Sequence, residues 1–238
     1  KEFLALAYEL FRLCADAESQ LRLDMVNDLE FRSGKQWPDE LKSARDLDKR
    51  PCLTINRLPQ FLKQITNEQR QNRPSIQINP VGDADSESAE IRQGLIRAIE
   101  NKGADSAYDT AFDHAVTMGR GYFRIITQYQ DNSFDQEILI KRIRNPFTIY
   151  MDPAAQEPDY SDAMWGFVIE EQSPEEYKNA YPDSEMASLL QYQSIGDAAP
   201  GWMTHEYVRV AEYFRVEKST ERIAKLDNGD VLPYHEAV

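Results

Sequence analysis

Five carboxylates that fall close together, Asp152, Asp159, Asp162, Glu170 and Glu171, are the nearest this sequence comes to catalytic chemistry. Paired carboxylates at strand ends can hold Mg²⁺, which activates a water and stabilises a leaving oxygen in nucleases. The local pattern favours another use. Asp152-Pro153 and Glu157-Pro158-Asp159 are turn residues, because Asp bonds its own backbone and Pro presets φ. These carboxylates are therefore expected to define turns and not to bind Mg²⁺ tightly. His114, His205 and His235 are scattered, with no His or Cys at ligand spacing, which argues against zinc. No phosphate loop of the form G-x-x-x-x-G-K-S/T is present. Gly119-Arg120-Gly121 follows a helical stretch and precedes a strand, the reverse of a dinucleotide fingerprint, and reads as a helix C-cap with a tight turn. There is no G-x-S-x-G elbow, and neither Cys14 nor Cys52 has a histidine in an interpretable relation to it. No catalytic, cofactor-binding or metal-binding residue is assigned, and no cofactor is expected.

Binding chemistry is limited by charge. Against 27 Lys and Arg stand 41 Asp and Glu, a formal net charge of −14. Gripping DNA phosphates needs a basic face, since affinity comes largely from counterion release. Arg57, Lys63, Arg70 and Arg73 form the best candidate for one, and are expected instead to pair with nearby acids or a neighbouring subunit. The acidic balance reads as a solvated surface, or as one that lets DNA slide past. Trp37, Trp165 and Trp202 with Tyr122, Phe123 and Phe147 could be drawn as a base-stacking platform. Aromatics alternating along strands are more often core. Trp37 is expected to be a buried anchor folding back on Phe31 and Leu29.

The elements that must carry these residues are helical first and β-rich later. Leu6, Leu10, Leu13, Leu21, Met25 and Leu29 recur at helical intervals and predict one long amphipathic helix over residues 1 to about 32. Its stripe has little visible local partner, which suggests that another subunit covers part of it. A short helix from Pro38 toward Leu47 and a third over Leu58–Gln71 follow, then an alternating strand over Ser75–Asn79. Helices are predicted over Ala89–Asn101 and Ala107–Met118. Beyond Gly121 the period becomes two, giving strands over Tyr122–Tyr129, Glu137–Ile143, Phe147–Met151 and Ala163–Glu171. Ser173, Pro174, Glu175 and Glu176 start another helix, and strands return over Glu206–Glu217 and Arg222–Leu226. Asn228-Gly229 is the strongest hairpin signal. The fold class is α+β, with a mainly helical part over 1–118 and a β-rich part over 119–238 that carries a helical insertion at about 173–192.

The 238 residues suffice for one large domain or two small ones. No run of 18 apolar residues exists, so no transmembrane helix is predicted. The N-terminus lacks the apolar core of a signal peptide. Two cysteines suit a reducing compartment. A start at Lys1 without methionine, and an end at Val238 just past a hairpin turn, suggest a piece of something longer.

Several short segments together resemble the portal proteins of short-tailed bacteriophages. They are Phe31-Arg32-Ser33-Gly34-Lys35-Gln36-Trp37, Arg50-Pro51-Cys52-Leu53-Thr54-Ile55-Asn56 and Gln69-Arg70-Gln71-Asn72-Arg73-Pro74, then Gly119-Arg120-Gly121-Tyr122-Phe123-Arg124, Asn145-Pro146-Phe147 and Tyr150-Met151-Asp152-Pro153. Asp162-Ala163-Met164-Trp165 and Val210-Ala211-Glu212-Tyr213-Phe214 extend the series. The resemblance implies a structural, non-enzymatic subunit of a head-to-tail connector ring, usually of twelve copies, at the portal vertex of the virion. It implies a channel for DNA packaging and ejection, contacts with the terminase motor, capsid, scaffolding and tail or adaptor proteins, and assembly in the host cytoplasm. Double-stranded DNA would pass without sequence-specific binding, and no membrane is involved. The terminase hydrolyses ATP, in keeping with the missing phosphate loop. Within this family the chain corresponds mostly to the wing, with stem, clip and crown beyond it.

Overall fold

Among the described residues, apolar side chains at helical spacing build six helices before the first strand. The computed structural model describes residues 2–73, 75–80, 86–182, 207–220, 222–225 and 231–233. Helices α1 (Glu2–Ala17), α2 (Ser19–Ser33), α3 (Asp39–Leu47), α4 (Leu58–Gln71), α5 (Ser86–Asn101) and α6 (Ala104–Met118) come first. Strands β1 (Phe123–Tyr129), β2 (Gln136–Arg142), β3 (Ile149–Met151) and β4 (Trp165–Gln172) follow, then α7 (Pro174–Ala180) and strands β5 (Val208–Arg215), β6 (Ile223–Lys225) and β7 (Val231–Pro233). All strand pairings assigned a register are antiparallel, so the fold is α+β as expected.

Three expectations are corrected. The single helix over residues 1 to 32 is two helices meeting at Glu18. The Ser19 hydroxyl donates to the Asp16 carbonyl at 2.8 Å, and such back-bonding bends a helix. Residues 75–79 form no strand. The Gln93 side chain on α5 instead accepts from the Ile78 amide (2.7 Å) and donates to the Ile76 carbonyl (2.6 Å), occupying backbone groups a strand partner would need. The expected strand over Phe147–Met151 begins only at Ile149, because Asn145 accepts from the Phe147 amide and caps a 3-10 turn over Pro146–Thr148.

The chain forms two compact units. One spans Ala15–Ile149 and has α6 at its centre, packed by α2, α4, α5, β1 and β2. Ala104, Ala107 and Ala111 line the buried side of α6, and their small side chains let several partners approach at once. On α2, Met25 is buried with Leu21 and Leu29 half-buried above and below it, the i, i+4, i+8 spacing of an inward stripe. Gly34 ends α2 at φ +107°; its amide and that of Lys35 bond the Phe31 and Glu30 carbonyls, the left-handed helix stop that glycine favours.

The other unit combines Lys1–Cys14 with Tyr150–Val238. Its sheet has the order β3-β4-β5, with β4 and β5 registered from Trp165↔Arg215 to Gln172↔Val208. Phe167, Ile169 and Val208 are buried. Phe167 stacks on Tyr213 with ring centroids 4.8 Å apart and meets Phe11 edge-on at 5.8 Å. Phe11 also packs on Tyr150, and the buried Cys14 thiol donates to the Met151 carbonyl at 2.9 Å. The first helix thus has a partner within its own chain, although Leu4, Leu6 and Leu13 remain exposed. β6 pairs with β7, while the Asn228-Gly229 turn lies outside the described residues. The helix start expected at Ser173 is present, and Glu176 reciprocates to close a capping box; the predicted helix beyond residue 182 lies outside the described residues.

Candidate functional site

Several of the segments singled out in the sequence make polar ties to distant parts of the chain. Asn56 is the clearest. Its Nδ2 donates to the Arg32 carbonyl at 2.8 Å, while its Oδ1 accepts from Gln36 (3.1 Å) and from the Leu58 amide (3.3 Å). The end of α2 and the loop before α4 are thereby one piece. Trp37 belongs to the same piece but is not the buried anchor expected of it. The ring is half-buried; its Nε1 donates to the Leu53 carbonyl at 3.3 Å, and the Arg45 guanidinium lies 5.0 Å from the ring centroid. The short α3 supplies that arginine, so a cation covers the face that an apolar side chain was expected to fill.

The basic candidates divide. Arg70 pairs with Asp109 at 3.0 Å, and Arg73 pairs with Asp109 at 2.8 Å and with Asp105. Both acids lie on α6, so these two cations tie α4 to α6 and do not present a face to phosphate. Arg57 and Lys63 stand exposed on the same helix and its N-cap.

Gly119 and Gly121 act by different means. Gly119 caps α6 at φ +80°, its amide bonding the Ala115 carbonyl. Gly121 lets β1 pass so close to α6 that a Cβ there would stand 1.7 Å from the Ala111 carbonyl oxygen. Arg120 between them reaches Glu18 at 2.7 Å. Glu18 is buried, and its other carboxylate oxygen accepts from Arg22 Nε at 3.1 Å and Nη2 at 2.9 Å. Arg22 in turn donates to the Phe147 and Ile149 carbonyls. A second tie joins Arg32 to both carboxylate oxygens of Asp113, at 2.8 and 3.1 Å. Sequence reading missed Glu18, Arg22 and Asn56. The one available signal was an acid on the apolar stripe of a helix.

Asp152, Asp159 and Asp162 serve turns as expected, whereas Glu170 and Glu171 lie within β4 and not in a turn. Asp152 is buried, with Oδ1 accepting from the Ala154 amide (2.9 Å) and Oδ2 from the Met164 amide (3.2 Å). Asp162 accepts from the Gln156 and Glu157 amides, and Asp159 from that of Ser161. These amides hold both carboxyls below the usual range, led by the Gln156 amide for Asp162 and the Ser161 amide for Asp159. Glu171 pairs with Arg209 across the β4–β5 pair. Among the described residues no three His, Cys, Asp or Glu side chains are grouped to hold a metal ion. His114 is half-buried on α6 with no partner at Nδ1; burial lowers its pKa, the Arg32 charge lowers it further and Asp113 opposes. His205 and His235 lie outside the described residues, as does Trp202. Trp165 and Phe167 meet edge-on at 5.7 Å, as do Tyr108 and Phe123 at 5.3 Å, while Tyr122 and Phe147 are half-buried. Neither Cys14 nor Cys52 is in a disulfide, and among the described residues no helix is long and apolar enough to cross a membrane.

The arrangement is that of a scaffold whose polar side chains hold its own segments together. The family model for phage P22-like portal protein matches residues 8–237. A curated portal protein from Acyrthosiphon pisum secondary endosymbiont phage 1 is 30% identical over 207 residues, which cover 82% of this chain and 28% of that protein. The chain thus spans under a third of the length of the relative it matches. On a family match over residues 8–237 and a relative 30% identical over 82% of its length, the chain belongs to the phage P22-like portal protein family.

Proposed function

We propose that this chain is the wing of a portal subunit, helical part (1–118) and β-rich part (119–238) alike, and that the whole protein closes into a ring, usually of twelve copies, around a DNA channel. The family match over residues 8–237 carries this reading. Head-to-tail contacts between identical subunits form a closed ring when the rotation per subunit permits.

In this role the ring sits at one capsid vertex of the virion, passes double-stranded DNA during packaging and ejection, and offers docking faces to the terminase motor and to tail or adaptor proteins. The protein is a structural part, and ATP hydrolysis belongs to the motor. Electron microscopy and mass photometry of the full-length protein test the proposal. Closed rings with a central channel are expected; monomers or open filaments under assembly conditions overturn it. Divalent-ion-dependent DNA cleavage by the purified ring would speak for a nuclease instead.

A further inference from the structure

The unit spanning Ala15–Ile149 carries a cleft of about 410 Å³ where the start of α6 meets β2. Four cations line it, Lys102, Lys141, Arg142 and Arg144, over an apolar floor of Leu139 and Ile140. Lys102 pairs with Glu137, and Lys141 bonds Gln128. Among the described residues neither Arg142 nor Arg144 has an ion-pair partner, and both are exposed. The N-cap of α6 is Gly103, which makes no side-chain cap bond, so the positive end of the helix dipole adds to the field.

Charge is divided unevenly between the two units. Lys1–Cys14 and Tyr150–Val238 hold 20 of the 41 acidic residues but only 8 of the 27 basic ones, a formal −12 out of −14. Ala15–Ile149 holds the remaining −2. One chain therefore presents a strongly acidic region and, elsewhere, a cationic cleft. A head-to-tail ring needs two different, mutually complementary surfaces.

We propose that the cleft receives an acidic surface of the next copy of the chain, supplied by its Tyr150–Val238 region; the inference rests on the ring reading above. One observation favours this occupant over nucleic acid. The face of the β1–β2 ribbon that carries Ile140 also bears Ile125 and Ile138, 65 and 44% exposed. A protein surface can cover these side chains, whereas a phosphodiester backbone leaves them in water. Complementary charge at such a contact sets register and suppresses wrong partners more than it adds raw affinity.

The test uses full-length protein with Arg142→Glu and Arg144→Glu together, beside Arg142→Lys with Arg144→Lys, which keeps the charge. Because both arginines are exposed, far-UV circular dichroism and the urea midpoint are expected to stay at wild-type values; if the reversal fails to fold, Arg142→Gln with Arg144→Gln replaces it. Mass photometry across a protein dilution series at about 0.05 and 0.5 M NaCl, either side of the roughly 8 Å physiological Debye length, reads assembly. The reversal is expected to raise the concentration for half-assembly at least about tenfold at the lower salt. The lysine pair should behave as wild type, and the difference should shrink at the higher salt. Carbodiimide cross-linking of rings mixed from isotopically light and heavy copies should join Lys102 or Lys141 to a carboxylate of Tyr150–Val238 in another copy. Rings formed equally well by the reversal, or cross-links confined to single copies, overturn this inference alone. A reversal that assembles normally but loses binding of inorganic phosphate or of a short DNA duplex overturns it in favour of an anion site. A wild type that stays monomeric overturns the ring reading and this contact with it.

Discussion

Adding one methyl group at Gly121 should do more harm than adding it at any other glycine in or near α6. A Cβ there would stand 1.7 Å from the Ala111 carbonyl oxygen, 2.6 Å from the carbonyl carbon and 3.0 Å from the Ala115 nitrogen. All three are backbone atoms of α6, so no side chain can rotate away, and helix and strand must separate. Overpacking costs about 1–3 kcal/mol where side chains can adjust; with backbone on both sides, about 3 kcal/mol is the lower bound expected here. Gly119→Ala isolates a different cost. Its φ of +80° is unfavourable for alanine but the space around it is open, so roughly 1 kcal/mol is expected. Gly94→Ala, exposed within α5 with nothing within 4 Å, should gain roughly 0.5–1 kcal/mol from helix propensity. At roughly 4 °C per kcal/mol for a unit of this size, the variants should melt in the order Gly94→Ala, wild type, Gly119→Ala, Gly121→Ala, the last about 10 °C or more below wild type. Thermal melts and urea midpoints of the four proteins check the order. A Gly121→Ala protein that melts with Gly119→Ala would refute the close approach of β1 to α6.

Glu18→Ala should cost about 3 kcal/mol, because it removes a buried carboxylate that both Arg22 and Arg120 engage; Glu18→Gln should recover part of this, and urea denaturation reads both. His114 is held neutral by burial, so below its ordinary pKa the unfolded chain binds the proton more readily than the folded one. Its contribution is therefore full above about pH 6.5 and is lost as pH falls through and below that value. The drop in urea midpoint between about pH 7.5 and pH 5.5 should be smaller in His114→Gln than in wild type; equal drops would show that His114 is not the group responsible. Arg70→Ala with Arg73→Ala should lower the melting temperature, since both tie α4 to α6. DNA affinity should be weak before and after. Submicromolar binding with a log–log salt slope near about −3.6, lost in this pair, would mean that the group grips phosphate.

What was legible in the sequence was local. The bounds of α4 follow from an apolar face that begins at Leu58 and ends before Pro74. The start of α7 follows from Ser173, Pro174 and Glu176, whose capping box closes within one turn. Asp152 and Asp159 declared themselves as turn residues beside their prolines, because Asp satisfies backbone amides a few residues away. Gly119 marked a helix end for the same short-range reason. The collinear motifs identified the family, which periodicity alone could not have done.

Tertiary structure decided everything that depends on which distant groups become neighbours. Glu18 reads as one more surface acid until Arg120, 102 residues along the chain, arrives beside it. Residues 75–79 alternate as a strand does, yet Gln93 occupies their backbone groups and no strand forms. Trp37 is as apolar as any core residue, yet its own neighbourhood supplies an arginine and a carbonyl, so it stays half-buried. Lys102 and Arg144 lie far apart in sequence and share a cleft only because β2 runs past the start of α6. A chain encodes its turns and caps within a few residues, where a single hydrogen bond decides the outcome. Ion pairs, close approaches and clefts are settled by the competition among all groups for burial and partners, and that competition is resolved only when the whole fold closes.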